Sequence, residues 1–111
     1  MNPAPIGREG SPPRALLLGP RRVPFPVMLA PMAGYTDAAL RSVCAEMGAG
    51  MTFTEVVQAG GVARRIPITL FMLETHPAED CVAAHMYGAD PSEMADAAAV
   101  AAETGRFAAF D

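Results

Sequence analysis

Apolar and polar residues follow one another along this chain in blocks that have the lengths of strands and helices. Residues 27–30 are continuously apolar, a pattern typical of a strand that is buried on both faces in a parallel sheet. Leu40, Val43, Cys44 and Met47 then recur at the spacing of one helix face. The two blocks predict a buried strand followed by an amphipathic helix that packs on the sheet.

Local signals mark the change from this strand to this helix. Pro31 ends the strand, because proline has no N–H to donate to a neighbouring strand. Thr36 is the predicted N-cap, Asp37 complements the positive end of the helix dipole, and Gly48 provides the C-terminal stop. We therefore expect a short junction between Pro31 and Thr36.

Three further strands are predicted after the first helix. Residues 51–57 are rich in β-branched and aromatic side chains and predict a strand that ends near Glu55. Residues 81–88 predict another strand, whose alanines allow close packing, and residues 107–111 open a last one. The apolar strands are thus separated by segments long enough to hold helices.

The segments between these strands predict two more helices. Residues 58–80 indicate a short irregular helix plus a loop. Residues 90–105 predict a regular helix, with Asp90 as N-cap, Pro91 in the first position and Gly105 at the stop. Strand and helix alternate, which predicts an α/β fold with right-handed crossovers and a parallel sheet.

The beginning of the chain is predicted to be separate from this domain. Residues 1–14 are rich in proline, glycine and arginine and are expected to form a flexible leader, so the domain covers residues 15–111. Residues 15–19 predict a short strand, followed by a turn at Gly19 and Pro20.

Ligands of parallel α/β folds bind at the carboxyl ends of the strands. The predicted strand-to-helix junctions are residues 31–35, 55–58 and 85–89, and they should share one face. Small residues in the first junction, Ala33 and Gly34, would let a flat ligand approach the backbone closely. This face is therefore the predicted site.

Composition narrows the classes of function. The chain is 51% hydrophobic and 18% charged, with a net charge of −4, eight arginines and no lysine, so it lacks the basic field of a self-sufficient nucleic-acid binder. No apolar run approaches the ~18 residues of a membrane span, which makes a cytoplasmic protein the default expectation. Cys44 and Cys81 lack the close spacing of a metal site and are predicted to be reduced thiols.

Three segments together resemble the amino-terminal part of the tRNA-dihydrouridine synthase family. They are LAPMAGYTD at residues 29–37, the strand that ends in Thr-Glu at residues 54–55, and the stretch from HMYGADP to FAAFD at residues 85–111. The resemblance implies an FMN-dependent (β/α)₈ TIM barrel that reduces uridine in tRNA to dihydrouridine with NADPH. This chain would then be a partial barrel of three strand–helix units and a fourth strand.

The resemblance also implies which residues touch the flavin. The implied contacts are Pro31, Met32, Ala33 and His85, with Gly34 and Glu55 in supporting roles. The first three would line the ring mainly through their backbone, and His85 stands where the family has a glutamine that bonds the pyrimidine edge of the flavin. Without the resemblance, His85 is more often a satisfied core histidine than a ligand contact, and with it the two interpretations are about even. Met32 could equally be a core-filling side chain, and a lone acid such as Glu55 is usually a strand-end charge that faces solvent.

The family continues from FAAFD into an Asn-x-Gly-Cys-Pro segment, whose cysteine protonates uracil C5 while hydride from the flavin goes to C6. The sequence ends at Asp111, before such a segment, so we expect no catalytic residue within it, no activity of this fragment alone, and tRNA contacts through other regions. Cys44 and Cys81 are both predicted to lie away from the site. Two alternatives stay open: another FMN-dependent barrel oxidoreductase, similar to dihydroorotate dehydrogenase, or a non-enzymatic truncated remnant.

Overall fold

The computed structural model of the chain describes residues 14–104 and 106–111. The predicted leader, residues 1–14, lies outside the described residues except for Arg14, and so does the predicted helix stop at Gly105. The strands are β1 Leu16–Leu18, β2 Arg21–Val23, β3 Thr52–Phe53, β4 Val57–Gln58, β5 Val82–Ala84, β6 Met86–Tyr87 and β7 Ala109–Phe110. The helices are α1 Ala38–Glu46, α2 Ala59–Ala63, α3 Pro67–Phe71 and α4 Pro91–Ala102.

Parallel strands form the centre of the fold. β3, β5 and β7 lie side by side in that order and all run parallel, and β4 pairs in parallel with β6. Met28 adds a parallel bridge to Met51 on the free side of β3. The predicted α/β class with a parallel sheet is therefore confirmed, whereas β1 and β2 form an antiparallel hairpin in front of it.

The second and third predicted strands are each divided in two. The break between β3 and β4 covers residues 54–56, and the break between β5 and β6 is His85. The Thr54 hydroxyl accepts the His85 N–H at 3.0 Å, so that a side chain takes the place of a strand carbonyl at this point. The side chains of Glu55 and His85 lie in these adjacent breaks.

The prediction that residues 27–30 form a strand buried on both faces was wrong. Only Met28 makes a strand bridge, Val27 is 55% exposed, and Ala30 is also exposed. The backbone of residues 27–30 forms its hydrogen bonds on the side that faces β3. The Leu29 N–H donates to the Met51 carbonyl, and the Val27 carbonyl accepts from the Gly50 N–H. Among the described residues no strand pairs with its other side, and this leaves the segment half-covered.

Helix α1 begins one residue later than predicted. Asp37, not Thr36, is the N-cap, and its carboxylate accepts the Leu40 N–H at 2.9 Å. The helix ends at Glu46, and Gly48 follows with a φ of +106°, a conformation that favours glycine at a helix end. The predicted stop is thus confirmed, whereas Thr36 does not cap the helix.

The apolar stripe predicted to bury α1 does not do so. Val43 is 55% exposed and Met47 is 84% exposed, and Met47 borders an open groove of 300 Å³ beside the half-covered segment 27–30. The one buried residue of the helix is Arg41. The packed side of α1 is therefore centred on Arg41, and only Leu40 and Cys44 of the predicted stripe are partly buried.

Residues 58–80 contain two short helices, α2 and α3, where the sequence predicted one irregular helix. Small residues let α2 pack closely on α4: Ala59 and Val62 share a core with Ala97 and Ala101. A side chain at Gly61 would meet the Thr69 hydroxyl at 2.6 Å, so glycine is required there by space. This core supports β4 and β6 from one side.

Helix α4 begins as predicted. Asp90 is the N-cap, and its Oδ1 accepts from the Ser92 hydroxyl at 2.8 Å and from the Ser92 N–H at 2.9 Å. These hydrogen bonds, the hydroxyl first, hold the pKa of Asp90 below its ordinary value.

We predict a pH-dependent role for this cap. A carboxylate whose pKa is lower in the folded state adds stability above its unfolded pKa, and this contribution is lost as the pH falls through the folded value. Asp90→Ala should therefore lower the denaturation midpoint at pH 7, and the difference from wild type should shrink below a pH of about 4. Asp96→Ala, an exposed change on the same helix, is the control, and a difference that is constant from neutral to acid pH would contradict the assignment.

Candidate functional site at the carboxyl ends of the strands

The Pro31–Thr36 junction is held in shape by its own hydrogen bonds. Thr36 is buried, and its hydroxyl accepts from the Met32 N–H at 3.0 Å and donates to the Met32 carbonyl at 3.1 Å. The N–H groups of Tyr35 and Thr36 also donate to this carbonyl, each at 3.0 Å. The backbone of Met32 is thus used within the loop, while its side chain is 41% exposed.

Glu55 ties this loop to the next strand. Its Oε1 accepts the Gly34 N–H at 2.6 Å, and the Glu55 side chain is neither fully buried nor exposed. Gly34 has a φ of +79°, which is strained for any residue with a Cβ. The carboxylate thus fixes a loop whose conformation depends on glycine.

Removing the Glu55 carboxylate should loosen this loop. In Glu55→Ala the Gly34 N–H loses a charged acceptor, and we expect its hydrogen exchange to become about tenfold faster. Glu46→Ala, at an exposed position of α1, is the matched control. Exchange at Gly34 that is equal in all three proteins would show that the contact does not hold the loop.

His85 lies at the carboxyl end of β5, beside the end of β7. Its Nδ1 is 2.8 Å from Oδ2 of Asp111, and its imidazole is 27% exposed. The backbone of Asp111 is fixed on both sides, because its N–H donates to the Ala84 carbonyl at 2.9 Å and its carbonyl accepts from the Met86 N–H at 2.8 Å. The imidazole and the carboxylate are therefore held as a pair by the sheet.

These contacts join the Pro31–Thr36 loop to the carboxyl ends of β3, β5 and β7. Gly34 contacts Glu55, the neighbouring Thr54 contacts His85, and His85 contacts Asp111. Among the described residues no hydrogen bond joins Pro31, Met32 or Ala33 directly to His85. The structure brings the predicted site residues to one edge of the sheet, with Asp111 added as a residue that the sequence did not indicate.

The surface at Ala33 and Gly34 is open. Ala33 is exposed, and no atom lies within 4 Å of the position that a Cβ would take on Gly34. His85, at the carboxyl end of β5, is partly exposed and offers a polar side chain at the same end of the strands. Small residues next to a hydrogen-bonding side chain match the chemistry that a planar heteroaromatic ligand requires.

A cavity of 410 Å³ lies at the opposite, amino-terminal end of the strands. Arg21, Arg22, Glu79 and Asp80 are among its lining residues. We place the site at the carboxyl end despite this cavity, since the loop and the histidine–carboxylate pair lie there and ligands of parallel α/β folds bind there.

A buried ion pair between Arg41 and Glu79 anchors the end of the Pro31–Thr36 loop, and the sequence did not indicate it. Nε of Arg41 is 2.7 Å from Oε1 of Glu79, and neither side chain is exposed. Nη1 of Arg41 donates to the Thr36 carbonyl at 2.7 Å, and Nη2 donates to the Glu74 carbonyl at 2.6 Å. Arg41 is thus a positioning residue for the end of the Pro31–Thr36 loop.

The two cysteines lie away from this edge. Both are free thiols; Cys44 is on α1, and Cys81 is buried directly before β5, at the amino end of that strand. Among the described residues no three His, Cys, Asp or Glu side chains are grouped as metal ligands. No helix of this part of the chain has the length and apolarity needed to cross a membrane.

Comparison with known families identifies the group to which these features belong. The family described as Dihydrouridine synthase (Dus) matches residues 28–108, which include both the loop and the His85 strand end. The chain belongs to the dihydrouridine synthase family. The resemblance seen in the sequence is therefore confirmed.

Individual relatives of the dihydrouridine synthase family agree. The chain is 41% identical over 80 residues to a probable tRNA-dihydrouridine synthase of Aquifex aeolicus, covering 69% of this chain and 24% of that protein. It is 37% identical over 79 residues to tRNA-dihydrouridine synthase B of Pasteurella multocida, covering 71% and 24%. The chain thus spans about a quarter of the length of these curated relatives. No solved structure gives a significant match.

Proposed function

We propose that this chain provides the first flavin-binding part of a tRNA-dihydrouridine synthase, and that its fold is the amino-terminal portion of a (β/α)₈ barrel. The observation that carries the proposal is the joining of Gly34 to Glu55 and of His85 to Asp111 at one edge of the parallel strands. Family membership gives this edge its chemistry. FMN would be the bound cofactor, NADPH the electron donor, and a uridine of tRNA the substrate.

Each residue has a distinct role in this proposal. FMN, when bound, would supply the hydride for reduction of the uracil ring. Pro31 and Ala33 would line the ring through their backbone. Met32, whose N–H and carbonyl are both hydrogen-bonded within the loop, would contact the ring through its exposed side chain instead. Glu55 holds Gly34, and therefore the loop, in place, and His85 would bond the polar edge of the ring.

Activity is expected only when the remaining part of a synthase is present. We would replace the matching segment of the Aquifex aeolicus relative with the aligned segment of this chain and measure dihydrouridine in tRNA by mass spectrometry, with FMN and NADPH. The chimera should form dihydrouridine, and the isolated chain should form none.

A pair of matched variants separates the site from the scaffold. Ala33→Arg puts a large cation on the proposed ring surface and should abolish FMN binding by the chimera, whereas Ala99→Arg, at an exposed position of α4, should leave it unchanged. A folded chimera that binds no FMN would favour the non-enzymatic remnant. A chimera that binds and reduces FMN but leaves tRNA unmodified would favour a small-molecule oxidoreductase.

A further inference from the structure

The two histidines of this chain have opposite surroundings at Nδ1. Nδ1 of His85 is 2.8 Å from a carboxylate oxygen of Asp111, which can only accept a hydrogen bond when ionised. Nδ1 of His76 is 3.0 Å from the backbone N of Ala78, which can only donate. In a neutral ring the first arrangement requires the proton on Nδ1, and the second requires it on Nε2.

We infer that Asp111 is a positioning residue that holds His85 as the Nδ1–H tautomer, so that Nε2 accepts a hydrogen bond from an N–H group of the ligand. A glutamine amide presents both a donor and an acceptor, but this fixed imidazole presents only the acceptor. The ligand edge that meets His85 must therefore carry a hydrogen-bond donor, an N–H or an O–H. The tautomer follows from the structure alone, whereas the identity of the ligand rests on the proposed function.

An imide N–H between two carbonyl groups meets this requirement. The pyrimidine edge of an isoalloxazine ring has such a group at N3. Nε2 of His85 would thus accept a hydrogen bond from the N3–H of the ring. Asp111 makes this possible because it keeps the imidazole proton on Nδ1.

The rigidity of the pair supports this role. The Asp111 backbone is bonded to Ala84 and Met86 through its N–H and carbonyl, and the His85 N–H is bonded to Thr54. Loss of the Asp111 carboxylate alone would leave all of these backbone contacts in place. Asp111→Ala is therefore a change that acts on the tautomer and spares the local fold.

The tautomer is tested by ¹⁵N NMR of the imidazole nitrogens in the full chain, at a pH about two units above the ordinary histidine pKa. Wild-type His85 should show the Nδ1–H pattern and His76 the Nε2–H pattern within the same sample. Asp111→Ala should move His85 toward Nε2–H, the form that a free imidazole prefers, and should not change His76. Asp96→Ala should change neither ring. An Nε2–H or doubly protonated His85 in the wild type would overturn the inference.

The ligand is tested by titration with FMN and with its N3-methyl analogue. Wild type should bind FMN about five to ten times more tightly than the analogue, because the methyl group removes one hydrogen bond. In Asp111→Ala the ratio should fall toward one, since Nε2 then carries the proton in most molecules. A ratio that is the same in both proteins would show a steric effect of the methyl group and overturn the N–H assignment. Absence of FMN binding in a chain with the expected tautomer would instead count against the proposed function.

Discussion

Arg41→Met is expected to destabilise the folded chain by about 3–5 kcal/mol. The substitution removes the partner of a fully buried carboxylate, Glu79, which then loses its charge compensation. It also leaves the carbonyl groups of Thr36 and Glu74 without their donor. Because domains of this size are stable by only about 5–15 kcal/mol, a chemical denaturation curve should show a large shift of the midpoint.

Two further variants make this expectation specific. Arg64→Met removes an exposed arginine whose contact with Glu93 is 3.4 Å long, and it should cost no more than about 1 kcal/mol. Arg41→Met combined with Glu79→Gln should be more stable than Arg41→Met alone, because the double variant no longer contains the unpaired charge. Equal midpoints for Arg41→Met and Arg64→Met would refute the structural role of the buried pair.

Gly50→Ala should cost about 3 kcal/mol, for a steric reason. A Cβ on Gly50 would lie 1.8 Å from the Phe25 carbonyl oxygen and 2.9 Å from Cγ1 of Val23. The clash is with backbone, so the segment before the site loop would have to move away from β3. Hydrogen exchange at the Leu29 N–H, which donates to Met51, should report this separation.

Gly48→Ala provides the comparison for Gly50→Ala. Gly48 has open space around the Cβ position but a φ of +106°, so its substitution introduces backbone strain without a clash. We expect a cost of about 1–2 kcal/mol there and unchanged exchange at Leu29. Equal losses of stability at the two glycines would contradict the steric argument.

The order of the elements could be predicted from the sequence because local signals set it. Asp90 and Pro91 mark the start of α4 by capping chemistry, and Gly48 marks the end of α1 by its positive φ. Apolar runs indicated the positions of β3, β5 and β7, whereas the run at residues 27–30 makes only one strand bridge. Such features depend on residues within a few positions of one another, which a single sequence displays.

The errors arose where distant residues decide the outcome. Arg41 is not part of the apolar stripe predicted for α1, yet it is buried because it pairs with Glu79, 38 positions away. The strands break at Thr54 and His85 because a hydroxyl from one strand takes the N–H of the next. Neither the Arg41–Glu79 contact nor the Thr54–His85 contact can be predicted from the spacing of hydrophobic residues.

The candidate site was predictable only in part, for the same reason. The Pro31–Thr36 junction and the end of the second strand could be located from local patterns, and the contact of Glu55 with Gly34 joins them. The pairing of His85 with Asp111 spans 26 positions and required the fold. Their roles toward a flavin stay predictions.

The most direct test of the central claim is a titration of the ¹⁵N-labelled chain with FMN, followed by amide chemical shifts. A flavin bound at the carboxyl ends of the strands should cause the largest changes at Ala33, Gly34, Glu55 and His85. Changes concentrated instead around Arg21 and the 410 Å³ cavity at the amino ends, or no changes at any amide, would contradict a flavin site at this edge.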